Sequence, residues 1–465
     1  MKRCDILVIG AGPGGYVAAI RAAQLGKRVV LVERDKLGGE CLNYGCIPSK
    51  ALLHVATLKH KVERAGEMGL QVSGLAVDLA KLQAWKGSVV ERLTKGIATL
   101  CQGNQVEVLF GSAKFKDPTT VLLTTPQGEE TLLADTVIVA TGGRPIDLQA
   151  FRFDRTKILS SKEALELTVL PKDLVLIGGG VTGLEMGTFY AKLGTKVTII
   201  ELLDQVLPGV DPEVARVVTR SLKRLGIDVH VKSQAKSWEE RNGRLLVHAE
   251  TPEGPKEVPC DAVLVAVGRR ANTEDLNLVA AGVQTDKHGH ILVDRQLRSN
   301  VPHILAIGDV RGPPYLAHKA SREGIVAAEV AAGHNSGLDH KAMPAAIFSD
   351  PEVATVGLSE ADAAAKGIAV TVGKVPFAAI GRTLTAGEFD GFAKLITDAA
   401  NGRVLGAQIV GPDASDIISE VALAIEMGAT AEDIALTVHP HPTFPETILE
   451  AAEATLKRAI HVLNR

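Results

Sequence analysis

Two stretches of the chain align with each other without a gap, and this repeat constrains the fold more than any other feature. DILVIGAGPGGYVAAIRAAQLGKRVVLVE runs from Asp5 to Glu33, and DLVLIGGGVTGLEMGTFYAKLGTKVTIIE runs from Asp173 to Glu201. Asp5, Gly10, Gly12, Gly15, Ala23, Leu25, Gly26, Val29 and Glu33 fall on Asp173, Gly178, Gly180, Gly183, Ala191, Leu193, Gly194, Val197 and Glu201. Each copy has an apolar run that reads as a buried parallel strand, then a G-x-G-x-x-G turn. A small-residue helix ending at Leu-Gly follows, then a second apolar run closed by Glu. The first Gly permits a tight turn, the second lets backbone approach a diphosphate, and the third lets helix and strand pack closely. A diphosphate then sits on the helix N-terminus, and the terminal carboxylate accepts hydrogen bonds from ribose hydroxyls. Two complete copies predict two dinucleotide sites on a doubly wound α/β fold. Glu201 is followed by Leu202, Leu203 and Asp204, with no Arg to pair a 2′-phosphate, so the second site is expected to prefer NAD to NADP.

Between and after the repeats lie further elements. Leu79, Leu82, Val89, Leu93, Ile97 and Leu100 keep helical spacing. VEVLF, TTVLLTT and DTVIVATGG read as strands, and a related strand ending recurs in DAVLVAVGRR. These place Gly142 and Gly268 at ligand-facing strand ends. HILAIGDV delivers Gly308 and Asp309 at the end of an apolar run. That Asp is either a turn residue or an acceptor for a polyol such as a ribityl chain.

Composition narrows the function classes. The 465 residues suggest about three domains. With 51 basic and 54 acidic residues the chain is too balanced to point to nucleic acid or an anionic membrane. No uncharged apolar stretch reaches the ~18 residues needed to cross a bilayer, and the N-terminus does not read as a signal peptide. A cytoplasmic protein is expected.

The chain has five cysteines, and two of them, Cys41 and Cys46, fall in GGECLNYGCIPSK. Zinc needs about four ligands, and Cys4, Cys101 and Cys260 are isolated, so no metal site is expected. A staple closing so short a loop adds little in a reducing compartment. Redox chemistry fits better. Pro48 and Ser49 open a helix, which sets Cys46 beside its N-terminus, and Lys50 adds a cation. A low-pKa thiolate next to a second thiol exchanges disulfides, and two dinucleotide sites would supply a path for its electrons.

The Cys stretch, together with GAGPGGYVAAIRAAQLG, VIVATG, GGGVTGLEMG, VGRRANT, AIGDV, LAHKA, SDPEVATVGLSE and HPHPTFPE, resembles the flavin-dependent pyridine nucleotide–disulfide oxidoreductases over nearly the whole chain. The resemblance implies four domains: FAD-binding with the redox cysteines (1–145), NAD-binding (146–271), a central domain completing the FAD site (272–342), and an α+β dimerisation domain (343–465). It implies oxidation of protein-bound dihydrolipoyl groups with reduction of NAD, as a homodimer. Partners would be the lipoyl domains and core acyltransferase of 2-oxoacid dehydrogenase complexes, or the glycine cleavage system.

By the same resemblance, Cys41 would be the interchange thiol and Cys46 the thiol against the flavin. Lys50 would pair with Glu185 near the reacting flavin nitrogen. His441 would be the base, oriented by Glu446 and reaching the partner subunit's disulfide. FAD would be held by Gly10, Gly12, Pro13, Gly14, Gly15, Glu33, Gly39, Lys50, Ala113, Thr141, Gly142, Asp309 and Ala317. NAD would be held by Gly178, Gly180, Gly183, Glu201, Ala235 and Gly268.

Four positions depart from the family pattern. Glu40 stands where Thr is usual and is expected to raise the pKa of Cys41 and alter how the flavin phosphates are held. Tyr44 replaces a smaller apolar residue, and Pro440 and Pro445 replace Ala and Ser around the base and should stiffen that loop. A sibling reductase with another substrate, or a non-catalytic redox-sensing flavoprotein, are the alternatives. No Cys follows Cys260, which argues against mercuric reductase chemistry.

Overall fold

The computed structural model describes residues 1–464. Each repeat nucleates its own parallel sheet. In the first, strand Lys2–Ile9 is flanked by Val29–Glu33 and by the long strand Gly128–Val139, both parallel to it. Glu107–Phe110 and Ile304–Ala306 extend the sheet in parallel on either side. The latter comes from late in the chain, so the chain returns to this sheet after building the second. The N-terminal half of Gly128–Val139 pairs antiparallel with Thr120–Thr125, which pairs with Ser112–Asp117.

The second sheet repeats the plan. Asp173–Ile177 lies between Lys196–Ile200 and Ala262–Val265, with Asp228–His230 and Ile158–Leu159 at the edges, all parallel. An antiparallel three-strand piece, Gln234–Arg241, Arg244–Thr251 and Gly254–Cys260, stands where the first unit has its hairpin. The central strands are apolar and fully buried, as a sheet covered on both faces requires. A short antiparallel ribbon, Gly143–Pro145 with Arg269–Ala271, joins the two units.

The C-terminal part is a five-stranded antiparallel sheet carrying helices Ala414–Met427 and Glu446–Thr455 on an Ile/Val/Ala core. No described helix is long and apolar enough to cross a membrane.

Two helices differ from what their residue spacing predicts. Helix Cys46–Arg64 begins at Cys46 rather than at Pro48, capped by Gly45 and preceded by a short helix, Gly39–Tyr44. Pro48 is tolerated because a residue in the first turn has no intrahelical partner for an N–H. In helix Leu79–Gly103, Leu82 and Ile97 are buried as the spacing predicts. Leu93 and Leu100 are exposed, and Lys86 and Cys101 take the inner face instead.

Candidate active site

The two glycine turns have the same geometry. Gly10 and Gly178 adopt φ values of 101° and 106°, open only to glycine without strain. A Cβ on Gly15 would lie 1.8 Å from Gly10 O, and one on Gly183 would lie 2.1 Å from Gly178 O. Helix and strand therefore touch through backbone in both copies. Gly12 and Gly180 cap their helices, and nothing lies within 4 Å of where their Cβ would be. That open space at a helix N-terminus fits a diphosphate.

The terminal carboxylates are held alike. Glu33 accepts from Ala11 N at 2.8 Å and Asp35 N at 2.8 Å, and Glu201 accepts from Gly179 N at 2.5 Å and Leu203 N at 2.7 Å. Each is buried beneath its turn with its oxygens beside the glycine loop.

One continuous cavity of about 2020 Å³ joins both turns. From the first unit it is lined by Gly10, Gly12, Pro13, Gly14, Glu33, Gly39, Ala113, Thr141 and Gly142, and from the later chain by Asp309 and Ala317. The second unit contributes Gly178, Gly180, Glu201, Ala235 and Gly268. Gly15 and Gly183 lie under the turns, not on the cavity wall. Cys41, Cys46, Lys50 and Glu185 also line it. The volume suits ligands far larger than a typical drug-sized molecule.

Cys46 opens into this cavity, and Cys41 is half-buried beside it. The neighbouring Cys41 thiol pulls the Cys46 pKa down to about 7, aided by the Lys50 ammonium against the opposing effect of burial. The proximity of Cys46, with burial, pushes the Cys41 thiol up. Of the two thiols, Cys46 is the one drawn toward the thiolate, and it stands at the N-terminus of helix Cys46–Arg64, where an anion is favoured. The expected influence of Glu40 takes another route. Its carboxylate turns to Arg269 rather than toward Cys41, and Cys41 is perturbed chiefly by Cys46 and burial.

Lys50 Nζ donates to both oxygens of Glu185, at 2.9 and 2.7 Å. Glu185 is buried in helix Val181–Lys192, so the pair crosses from the redox helix to the second unit. Phe348, which no sequence motif marks, completes this pair. Its N–H donates to Glu185 Oε1 at 3.0 Å, and Lys50 Nζ lies 4.7 Å from its ring centre. Phe348 directly precedes the SDPEVATVG motif, and that adjacency is the one sequence signal that could have found it.

Tyr44 donates its hydroxyl to Asp35 Oδ2 at 2.8 Å, with Lys162 Nζ 3.9 Å from its ring centre. It therefore ties the end of the short helix Gly39–Tyr44 to Asp35 and to Lys162 of helix Ser161–Ala164.

His441 and Glu446 lie outside the cavity, on the C-terminal part. Glu446 Oε1 is 2.8 Å from His441 Nδ1, and Oε2 accepts from Thr443 N at 2.7 Å. Burial raises the Glu446 pKa, but these two contacts outweigh it and hold the carboxyl below its usual value. The His441 ring is three-quarters exposed. Pro445 caps helix Glu446–Thr455, and Pro440 O accepts from Thr443 Oγ1 at 2.8 Å. Within one chain this dyad and the cysteines are not brought together.

Residues 4–324 match the pyridine nucleotide-disulphide oxidoreductase family, and residues 343–452 match its dimerisation domain. The chain belongs to this family. It is 49% identical to the dihydrolipoyl dehydrogenase of Haloferax volcanii, over 99% of this chain and 98% of that one. It is also 49% identical to that of Geobacillus stearothermophilus, with the same coverage. Among solved structures, LpdA from Mycobacterium tuberculosis superposes with a TM-score of 0.90 at 28% identity, over 97% of this chain and 99% of that one.

Proposed function

We propose that this chain is an FAD-dependent enzyme that oxidises dihydrolipoyl groups and reduces NAD. One observation carries the reading. A single cavity holds both glycine turns and, between the two units, a thiolate-forming cysteine beside a Lys–Glu pair. The full-length relatives named dihydrolipoyl dehydrogenase support the substrate. FAD fits the first turn and Asp309, and NAD fits the second turn and Glu201. When bound, the flavin accepts the electron pair of the dithiol and passes it to nicotinamide as hydride.

The chain's own residues do the rest. A substrate thiolate attacks Cys41 of the oxidised pair, forming a mixed disulfide and releasing Cys46 as thiolate. The second substrate thiolate then closes the lipoyl disulfide and frees Cys41. Lys50, fixed by Glu185, holds positive charge where the electron pair arrives. His441, with Nδ1 held by Glu446, takes the substrate thiol protons at Nε2. Overall, dihydrolipoyl and NAD⁺ give the lipoyl disulfide, NADH and one proton.

Because the dyad lies outside the cavity, it acts on the partner subunit's cysteines in a homodimer built through the C-terminal part. The domain limits are 1–145, 146–271, 272–342 and 343–465. Lipoyl domains of a 2-oxoacid dehydrogenase complex or the glycine cleavage system supply the substrate. The test is anaerobic addition of dihydrolipoamide to the purified yellow protein. The flavin spectrum should change at once, and glutathione should leave it unchanged. A flavin reduced by NADH but not by dihydrolipoamide would sink the substrate assignment.

A further inference from the structure

Arg269 lies on the ribbon joining the two units, and Asp309 at the end of the returning strand. Arg269 gives its terminal fork to Glu40: Nη1 to Oε1 at 3.0 Å and Nη2 to Oε2 at 2.5 Å. Nη2 also donates to Gly143 O at 3.0 Å. Only Nε is left for Asp309, and it reaches Oδ2 at 3.0 Å. No hydrogen bond from a described residue reaches Asp309 Oδ1. All three side chains are less than a third exposed, at 29% for Arg269, 28% for Glu40 and 20% for Asp309.

Guanidinium prefers a two-toothed grip on a carboxylate. Two carboxylates compete here for one fork, and Glu40 holds it. Asp309 is left bound at one oxygen, with the other free to accept from a ligand. Without a carboxylate at position 40, the same fork could turn and take both oxygens of Asp309. The short helix carrying Glu40 also abuts the first glycine turn, since a Cβ on Gly39 would lie 2.6 Å from Gly12 Cα.

We propose that Glu40 is a positioning residue for the flavin site: by capturing the Arg269 fork it keeps one oxygen of Asp309 open for a ligand hydroxyl. The inference rests on the reading that the first site holds FAD. It assigns a role to a residue that departs from the family pattern, and it makes a prediction that a simple strap between units does not.

The experiment strips FAD from the protein and measures its rebinding, with NADH binding at the second site as a folding control. Glu40→Thr should weaken FAD binding about tenfold, the scale of one hydrogen bond to a charged group. Adding Arg269→Lys should then restore most of that loss, because an ammonium cannot close both oxygens of Asp309 with a planar fork. A strap would instead give a double variant at least as weak as Glu40→Thr. Unchanged FAD affinity in Glu40→Thr, or no recovery in the double variant, overturns the proposal. If Glu40→Thr does not fold, Glu40→Gln carries the same comparison. If the unaltered apoprotein takes up no FAD, the flavin reading itself falls, and that result is distinguishable from the other two.

Discussion

The two glycine-turn units are built alike but anchored differently. In the first, helix Pro13–Gln24 lies against helix Ala317–Ala331 through small residues. A Cβ on Gly14 would lie 2.9 Å from Ala320 O, and one on Gly324 would lie 2.5 Å from Gly14 O. Backbone meets backbone at the centre, and the ion pair across the contact, Arg21 Nη2 to Glu329 Oε1 at 2.7 Å, lies at its part-exposed edge.

The second unit packs helix Val181–Lys192 on the redox helix with Leu184, Met186 and Phe189, and it is also strapped by buried charges. Lys50 pairs with Glu185, and Lys192 Nζ lies 2.7 Å from Asp350 Oδ2. Lys394, only 2% exposed, reaches Asp211 at 2.8 Å, Glu213 at 2.6 Å and Glu360 at 2.6 Å. These three carboxylates stand close enough to hold a metal ion, and the Lys394 ammonium fills their centre. One motif thus serves a welded site and a strapped one. The welded site suits a cofactor that stays, and the strapped one suits a cofactor that comes and goes.

Breaking each turn separately tests that division most strongly. Gly15→Ala should purify without flavin colour. Gly183→Ala should stay yellow yet lose NAD affinity by about a hundredfold, the scale of overpacking by a few kcal/mol. Loss of flavin in Gly183→Ala would mean the two sites are not independent. Next in size, His441→Gln should lower kcat about 10²–10⁴-fold while leaving the flavin spectrum untouched.

Removing the strap gives a smaller effect. Lys394→Met leaves the largely buried Asp211 carboxylate without its cation and should destabilise the second unit by about 2–3 kcal/mol, read by differential scanning calorimetry. The first unit's transition should not move. Acid works on the same strap. Lys374 and Lys394 together hold the Glu213 carboxyl down to about 2. Its contribution is therefore fully present above the ordinary carboxylate range and is lost as pH falls through about 2. Smallest is a titration in the reduced protein. Alkylation of Cys46 should rise with pH through a midpoint near 7, while Cys41 stays protonated. Mass mapping of the labelled cysteine checks it.

Much of this was legible in the sequence because the glycine turns are local. Each needs only neighbouring residues to specify strand, turn, helix and carboxylate, and both copies form with matching contacts. The Cys41–Cys46 stretch was readable for the same reason. The straps were not. Glu40 meets Arg269, and Lys394 meets Asp211, across long stretches of chain, and one charged residue reads like another until the fold pairs them. Glu40 shows the difference plainly. From the sequence it was a carboxylate beside a reactive thiol, whereas in the fold it is a partner for an arginine of the other unit. Leu93 and Leu100 failed for another reason: helical spacing marks an apolar stripe but does not say how much of it one chain covers.

On this mechanism electrons run from a dithiol through the first site to the second. The most direct measurement is the initial rate of pyridine nucleotide reduction by dihydrolipoamide with the purified yellow protein, using NAD and NADP in parallel and Cys46→Ser as control. Rapid NADH formation is expected, with little NADPH and no turnover in the Cys46→Ser protein, which still binds flavin. Equal rates with NADP, or turnover that survives Cys46→Ser, would contradict the mechanism.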